Sequence, residues 1–303
     1  MTAATTRYPA AGSTRRARRF HFSWNMTFRY LFLILWMFIV LFPVYWLVTT
    51  SFKRPLDVNR VPRYVPFVDY QPITDHWNFV LVTQSDQTSR HFRNSLIAAT
   101  GSAIAATLIG TLAGYALSRF HYYFKPLKWK NENIAFWIIS QRFLPPAVLI
   151  VPFLLIYSRL GLTDTHFGLA LAYTVFNIPF AVWIMRDNFN TIPIELEDSA
   201  RVDGASRMQT FFRIVLPLAL PALFATGIFS FIFSWNEYLF AFMLTAFNAI
   251  TMPIYIAGQN NTRGVEWWYM SILTLIAALP VVLVAFPFTR YISRALMAGA
   301  LKG

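Results

Sequence analysis

Six apolar runs constrain this chain more than any other feature, because each is near the ~20 residues a helix needs to cross a bilayer. They extend over Phe28–Thr50, Asn94–Ser118, Asn133–Tyr157, His166–Met185, Ile214–Leu244 and Met270–Tyr291. In hydrocarbon a segment must satisfy its own backbone N–H and C=O groups, so the runs predict helices. Only 13% of the 303 residues are charged, about half the usual share of a soluble domain. The predicted class is an all-α integral membrane protein with six transmembrane helices. There are no cysteines, hence no disulfide, zinc-cysteine or thiol chemistry.

Orientation follows from Lys and Arg, which accumulate on the cytoplasmic side. With the N-terminus inside, seventeen of the 26 basic residues fall on inner segments and eight on outer ones, with Arg142 inside a span. Both termini are therefore expected in the cytoplasm. Residues 1–27 read as a basic tail beside the membrane, with Arg15, Arg16, Arg18 and Arg19 preceding aromatic residues. The span after this cluster is too long for a secretion signal and lacks a small-residue cleavage site. Residues 28–93 hold the first span and an outer loop. That loop carries Pro55, Pro62, Pro66 and Pro72, with a short helix expected near residues 74–84. Residues 94–292 form a five-helix core, and 293–303 a cytoplasmic tail. The net charge of +13 fits basic loops beside anionic lipid, and no nucleic-acid partner is expected.

Between the fourth and fifth spans lies ELEDSARVDGASRMQTFFRIVLP, residues 195–217. It is too polar for lipid. Its acidic first part predicts a short helix ending near Gly204, a residue suited to a helix terminus. A second short helix follows, with Met208, Phe211 and Phe212 at i, i+3 and i+4 on one apolar face. Pro217 and Pro221 interrupt the re-entry into the membrane. Two short helices bent at a glycine form a knuckle suited to docking another protein.

This stretch resembles the EAA loop of ABC-importer permeases: a pattern E-A-A-x-x-D-G-A, a variable segment, then I-x-L-P. The matching residues are Glu197, Asp198, Ser199, Ala200, Asp203, Gly204 and Ala205, then Ile214, Leu216 and Pro217. Asp198 and Ser199 depart from the usual Glu and Ala, so either Glu197 or Asp198 supplies the acid toward an ATPase. The ending Ala300-Leu301-Lys302-Gly303 is similar to the G-A-x-K-G tail of maltose-type permeases, which touches the ATPase pair. The resemblance covers most of residues 28–303. It implies the type I ABC-importer permease fold with a cytoplasmic coupling loop, and a sugar or oligosaccharide as solute. It also implies a second homologous permease, two ATPase copies that hold ATP and Mg, an extracytoplasmic solute-binding protein and a bacterial inner-membrane location. An acidic oligosaccharide such as alginate lies within that group. This chain is expected to bind no cofactor or metal itself and not to be an enzyme. It has no G-x-x-x-x-G-K-[ST] phosphate cradle and no H-E-x-x-H.

Several span residues are candidates for the pathway or its gate. Arg142 should lie ~13 Å along the third span, either lining a pore or snorkelling to the inner interface. Asn177 either bonds a neighbouring helix or lines the path. Trp235-Asn236-Glu237 resembles a run found in carbohydrate-importer permeases, and would meet a sugar with ring, amide and acid or else pack an interface. The resemblance implies, by position alone, that the loop Thr251–Trp268 reaches toward the binding protein. Gly110 and Gly114 form a GxxxG spacing that brings helices close. The rival class is an ion-coupled secondary transporter. Against it, the spans hold almost no carboxylate besides Glu237.

Overall fold

A computed structural model describes residues 24–59, 63–262 and 264–300. The chain divides into a unit ending at Trp46 and a second from Leu47 onward. Helix α1 (Trp24–Ser51), as far as Trp46, supplies the described part of the first. From Phe28 to Leu41 its large apolar side chains are exposed, as suits a helix facing lipid.

In the second unit the short helices α2 (Pro55–Asn59) and α3 (Asp75–Asn78) precede a π-helical turn over Phe79–Thr83. The last two account for the short helix expected near residues 74–84. Helix α4 (Ser85–Arg119) begins nine residues before the expected start at Asn94. Its first turns are polar, so hydropathy does not mark them. At ~1.5 Å per residue, its 35 residues outrun the hydrocarbon core by several turns.

The third span is not one helix. Helix α5 (Asn131–Ser140) and helix α6 (Pro146–Leu160) meet at an angle of 90°. Leu144 and Pro145 between them are extended, because a residue before proline is driven from the α region and Pro146 donates no hydrogen bond. Arg142 thus sits in a 3₁₀ turn at the break, not along a continuous helix.

Helix α7 (His166–Thr191) leads into the knuckle helices α8 (Glu195–Val202) and α9 (Arg207–Thr210). A π turn, Phe211–Val215, joins α9 to α10 (Leu216–Trp235). The expected fifth span breaks after Trp235 rather than at its prolines; α11 (Leu239–Leu244) follows. Pro217 stands near the start of α10, where a missing donor costs little. Helix α12 (Met252–Ala257), the two-residue strands β1 (Asn260–Asn261) and β2 (Gly264–Val265), and α13 (Trp267–Ala300) complete the chain. The strands pair antiparallel.

The centre of this unit is α4 against α7. Gly110 and Gly114 lie on the shared face, where a Cβ on Gly110 would approach the Ala181 carbonyl carbon to 2.8 Å. One on Gly114 would reach the Arg186 backbone nitrogen at 2.7 Å. With lipid as apolar as leucine, such close backbone packing replaces the hydrophobic drive available in water. Across this contact Asn177 donates through Nδ2 to Ser234 Oγ at 2.8 Å and to Ser102 Oγ at 3.2 Å, linking α7 to α10 and α4.

At the other end from the knuckle, the α6–α7 turn is tied to the segment after α11. The Asp164 carboxylate accepts the backbone N–H groups of Ala246, Phe247, Asn248 and Ala249, at 2.9 to 3.1 Å. Burial pushes this carboxyl up, but the four donors together hold it below its ordinary value.

Gly110→Ala is expected to destabilise the protein by about 1–3 kcal/mol through overpacking. Gly101→Ala, whose Cβ would meet Ala170 at an ordinary 3.6 Å, should stay within ~0.5 kcal/mol; thermal unfolding in detergent compares the two. The Asp164 loop gives a pH signature. Its carboxyl is depressed in the folded state, so its contribution is full above the ordinary value of ~3.9 and lost as pH falls through the folded value. The gap in unfolding midpoint between wild type and Asp164→Asn should therefore close with acidification below about pH 4.

Candidate functional site

The knuckle begins with three acids in the first turn of α8, Glu195, Glu197 and Asp198. That is the end of a helix where negative charge is favoured. The helix ends at Gly204, whose φ of +86° is open to glycine at little cost. The Ala205 N–H closes back on the Ala200 carbonyl at 3.0 Å, a Schellman-type stop. Helix α9 opens on a capping box: Ser206 Oγ accepts from Gln209 N, and Ser206 N donates to Gln209 Oε1 at 2.8 Å.

Adjacent acids on α8 point in different directions. Glu197 is 6% exposed. Its Oε1 accepts from Arg119 Nε at 2.5 Å and its Oε2 from the Tyr115 hydroxyl at 2.7 Å. Arg119 also donates through Nη2 to the Ile192 carbonyl at 2.9 Å. Asp198 faces outward and, among the described residues, pairs with Arg201, itself exposed. Ser199 and Asp203 are exposed too, Ala200 is buried and Ala205 half-buried. Of the two acids the sequence leaves open, Glu197 is engaged inside the chain and Asp198 is presented outward.

The expected single face of Met208, Phe211 and Phe212 is divided. Met208 and Phe212 are exposed, whereas Phe211 is buried, 4.6 Å from the Tyr115 ring and against Phe189. Rings from α4 and α7 cover Phe211 from one side of the helix, and the π turn that starts there changes the phase only of the residues after it. Tyr115 and Arg119 carry the knuckle's root, yet local pattern gives little sign of it. Their visible signals are a donor pair at i and i+4 on the last turns of α4 and a span ending, Tyr115 through Phe120 with Ser118-Arg119, that resembles a pattern of ABC-importer permeases. Ala300 ends α13, and Leu301, Lys302 and Gly303 lie outside the described residues.

The pathway candidates separate into two groups. Arg142, Asn177 and Glu237 line one cavity of about 190 Å³ together with Tyr173, Phe176, Phe233 and Ser234. Arg142 Nη1 donates to the Phe176 carbonyl at 2.7 Å, and its guanidinium lies 4.4 Å from the Phe233 ring centre. It forms no ion pair among the described residues. Both Glu237 oxygens accept backbone N–H groups at the start of α11, from Leu239, Phe240 and Ala241. Trp235 and Asn236 stand apart: Trp235 is buried and its Nε1 donates to the Ala277 carbonyl at 3.0 Å, while Asn236 bonds its own helix at Ile232. The expected convergence of ring, amide and acid fails because the helix ends between these residues and turns Glu237 away.

Glu197→Gln leaves a guanidinium buried without its counter-charge and should cost about 3–5 kcal/mol. Asp198→Asn breaks an exposed pair and should cost less than ~1 kcal/mol. Chemical unfolding of the two single variants checks the contrast.

Residues 106–298 match the family model described as "Binding-protein-dependent transport system inner membrane component". The chain is 32% identical over 276 residues to the inner membrane ABC transporter permease protein YcjP of Escherichia coli (strain K12), an alignment covering 89% of this chain and 94% of that one. It is 31% identical to the trehalose/maltose transport system permease protein MalG of Thermococcus litoralis, with 89% and 94% covered. Among solved structures it is similar to a chain of a bacterial ABC transporter involved in the import of the acidic polysaccharide alginate. There the TM-score is 0.69 at 21% identity, over 88% of this chain and 95% of that one. These matches extend along nearly the whole chain and take in the knuckle, the α4–α7 pair and the cavity: the protein belongs to the family of binding-protein-dependent transport inner membrane components, the membrane permeases of ABC transporters.

Proposed function

We propose that this permease forms half of the translocation path of an importer for a sugar or oligosaccharide, and that the knuckle couples it to an ATPase. The observation that carries this is the outward presentation of Asp198, Val202, Met208 and Phe212 on a knuckle whose root is buried. A surface with an acid beside uncovered apolar side chains fits a cleft in a partner, with Asp198 as the acid that meets it. Relatives named for trehalose/maltose and for diacetylchitobiose uptake support the saccharide class. Arg142, facing a ring-lined cavity without an ion pair among the described residues, supports an acidic saccharide such as alginate within that class.

The assembly is a second homologous permease, two ATPase copies that hold ATP and Mg, and an extracytoplasmic binding protein. It sits in a bacterial inner membrane, and the excess of Lys and Arg on the knuckle side supports a cytoplasmic position for the knuckle and both termini. The chain carries no nucleotide or metal in this scheme. Closure of the ATPase pair on ATP shifts the docked knuckle, and the helices follow. The shift requires a docking free energy that differs between the two states. The tail through Lys302 and Gly303 adds a second contact with the ATPase.

Asp198→Lys in the reconstituted complex tests the docking role. ATP-driven uptake of a radiolabelled saccharide should fall by at least tenfold, with the permease still folded. Uptake unchanged by this variant would reject Asp198 as the docking acid, and uptake sustained by an ion gradient in ATP-depleted vesicles would reject ATP-driven import by this complex.

A further inference from the structure

The buried contact at the knuckle's root has more structure than anchoring requires. Arg119 and Tyr115 stand on the last turns of α4, while Glu197 stands on α8. Three donors and acceptors meet there: Arg119 Nε on Glu197 Oε1, Tyr115 hydroxyl on Glu197 Oε2, and Arg119 Nη2 on the Ile192 carbonyl. The charged side chains of Arg119 and Glu197 are 9% and 8% exposed. Around them Arg207 lies over the Phe120 ring at 5.3 Å, and Tyr115 packs on Phe189 and Phe211. Apolar contact alone would hold the elements together, since apolar residues often replace a buried ion pair without loss of stability. What it would not do is fix direction, because dispersion contacts slide and hydrogen bonds to both oxygens of one carboxylate do not.

We propose that Tyr115, Arg119 and Glu197 form a latch that makes the knuckle and α4 one rigid body, so that these three are positioning residues for energy coupling. This rests on the docking reading above, since the latch transmits a push only if a partner pushes. Through the Gly110 and Gly114 contact, α4 then carries α7 with it. The push reaches the spans through α4, a helix distant in sequence, as well as through the chain neighbours of the knuckle.

The test separates rigidity from stability. The chain is free of cysteine, so nitroxides attach only where thiols are introduced. Labels at Val202→Cys on the knuckle and Leu112→Cys on α4, both at exposed positions, report the distance between the two elements by pulsed electron resonance in lipid nanodiscs. With the latch intact the distance is a single narrow peak. In the apolar pair Arg119→Met with Glu197→Leu, unfolding stability should be retained while the narrow peak is lost. In the reconstituted complex the same pair should hydrolyse ATP without uptake. A narrow peak that survives the apolar pair overturns the latch, as does full coupling in that variant. A wild-type chain that retains no ATPase rejects the docking reading instead. The label distance, measured on the chain alone, still decides the rigidity on which the latch stands.

Discussion

The carboxylate of Glu197, held between the Arg119 guanidinium and the Tyr115 hydroxyl, is the interaction on which the knuckle's geometry depends. One guanidinium joins three segments: the C-terminal end of α4, the Ile192 carbonyl that follows α7, and the first turn of α8. The placement suits elementary electrostatics. Arg119 stands at the end of α4 where cations are favoured, and Glu197 at the end of α8 where anions are favoured. Each charge therefore offsets a helix terminus as well as its partner. The Schellman stop at Gly204 and the capping box at Ser206 then set the angle at which α8 hands the chain to α9.

Inside the bilayer a different constraint operates. Burying apolar side chains against one another gains little where the solvent is itself apolar, so helix association leans on close packing and interhelical hydrogen bonds. Gly110 and Gly114 supply the first, with no room for a Cβ against α7. Asn177 supplies the second by reaching Ser102 and Ser234 on two other helices. Asn177 therefore serves both readings that the sequence leaves open, since it bonds neighbouring helices and lines the cavity. The polar contacts at membrane depth gather where helices meet or break.

Much of this was legible in the sequence, for physical reasons that differ by element. The apolar runs show themselves because hydrocarbon tolerates almost nothing else. The bend at Gly204 shows itself because few residues adopt a positive φ. The extension of α4 back to Ser85 does not, since nothing obliges a helix to stop at the edge of the lipid. Pro145-Pro146 signals the break between α5 and α6. Yet the total length suits one span, which hides the break from a reading by length. The burial of Phe211 is not legible, because it is decided by Tyr115 and Phe189, rings distant in sequence, and not by the period of its own helix. The Tyr115, Arg119 and Glu197 contact joins residues about eighty positions apart, beyond the reach of any local pattern.

The departure from the resembled motif at Glu197 and Asp198 gains a physical meaning from this arrangement. Neighbouring residues on an α-helix diverge by about 100°, so two consecutive acids can face different surroundings. One turns inward, where a guanidinium and a phenol satisfy it; the other turns outward, beside the exposed Arg201. An acid that holds the root must be buried and fully bonded, because a lone charge there is costly. An acid that is to meet another protein must stay hydrated and loosely held until docking replaces its water. These requirements exclude each other in one side chain. On the proposed docking reading the paired acids divide two tasks, one holding the root and one meeting the partner, and the question of which one belongs to the motif becomes a question of which way each one faces.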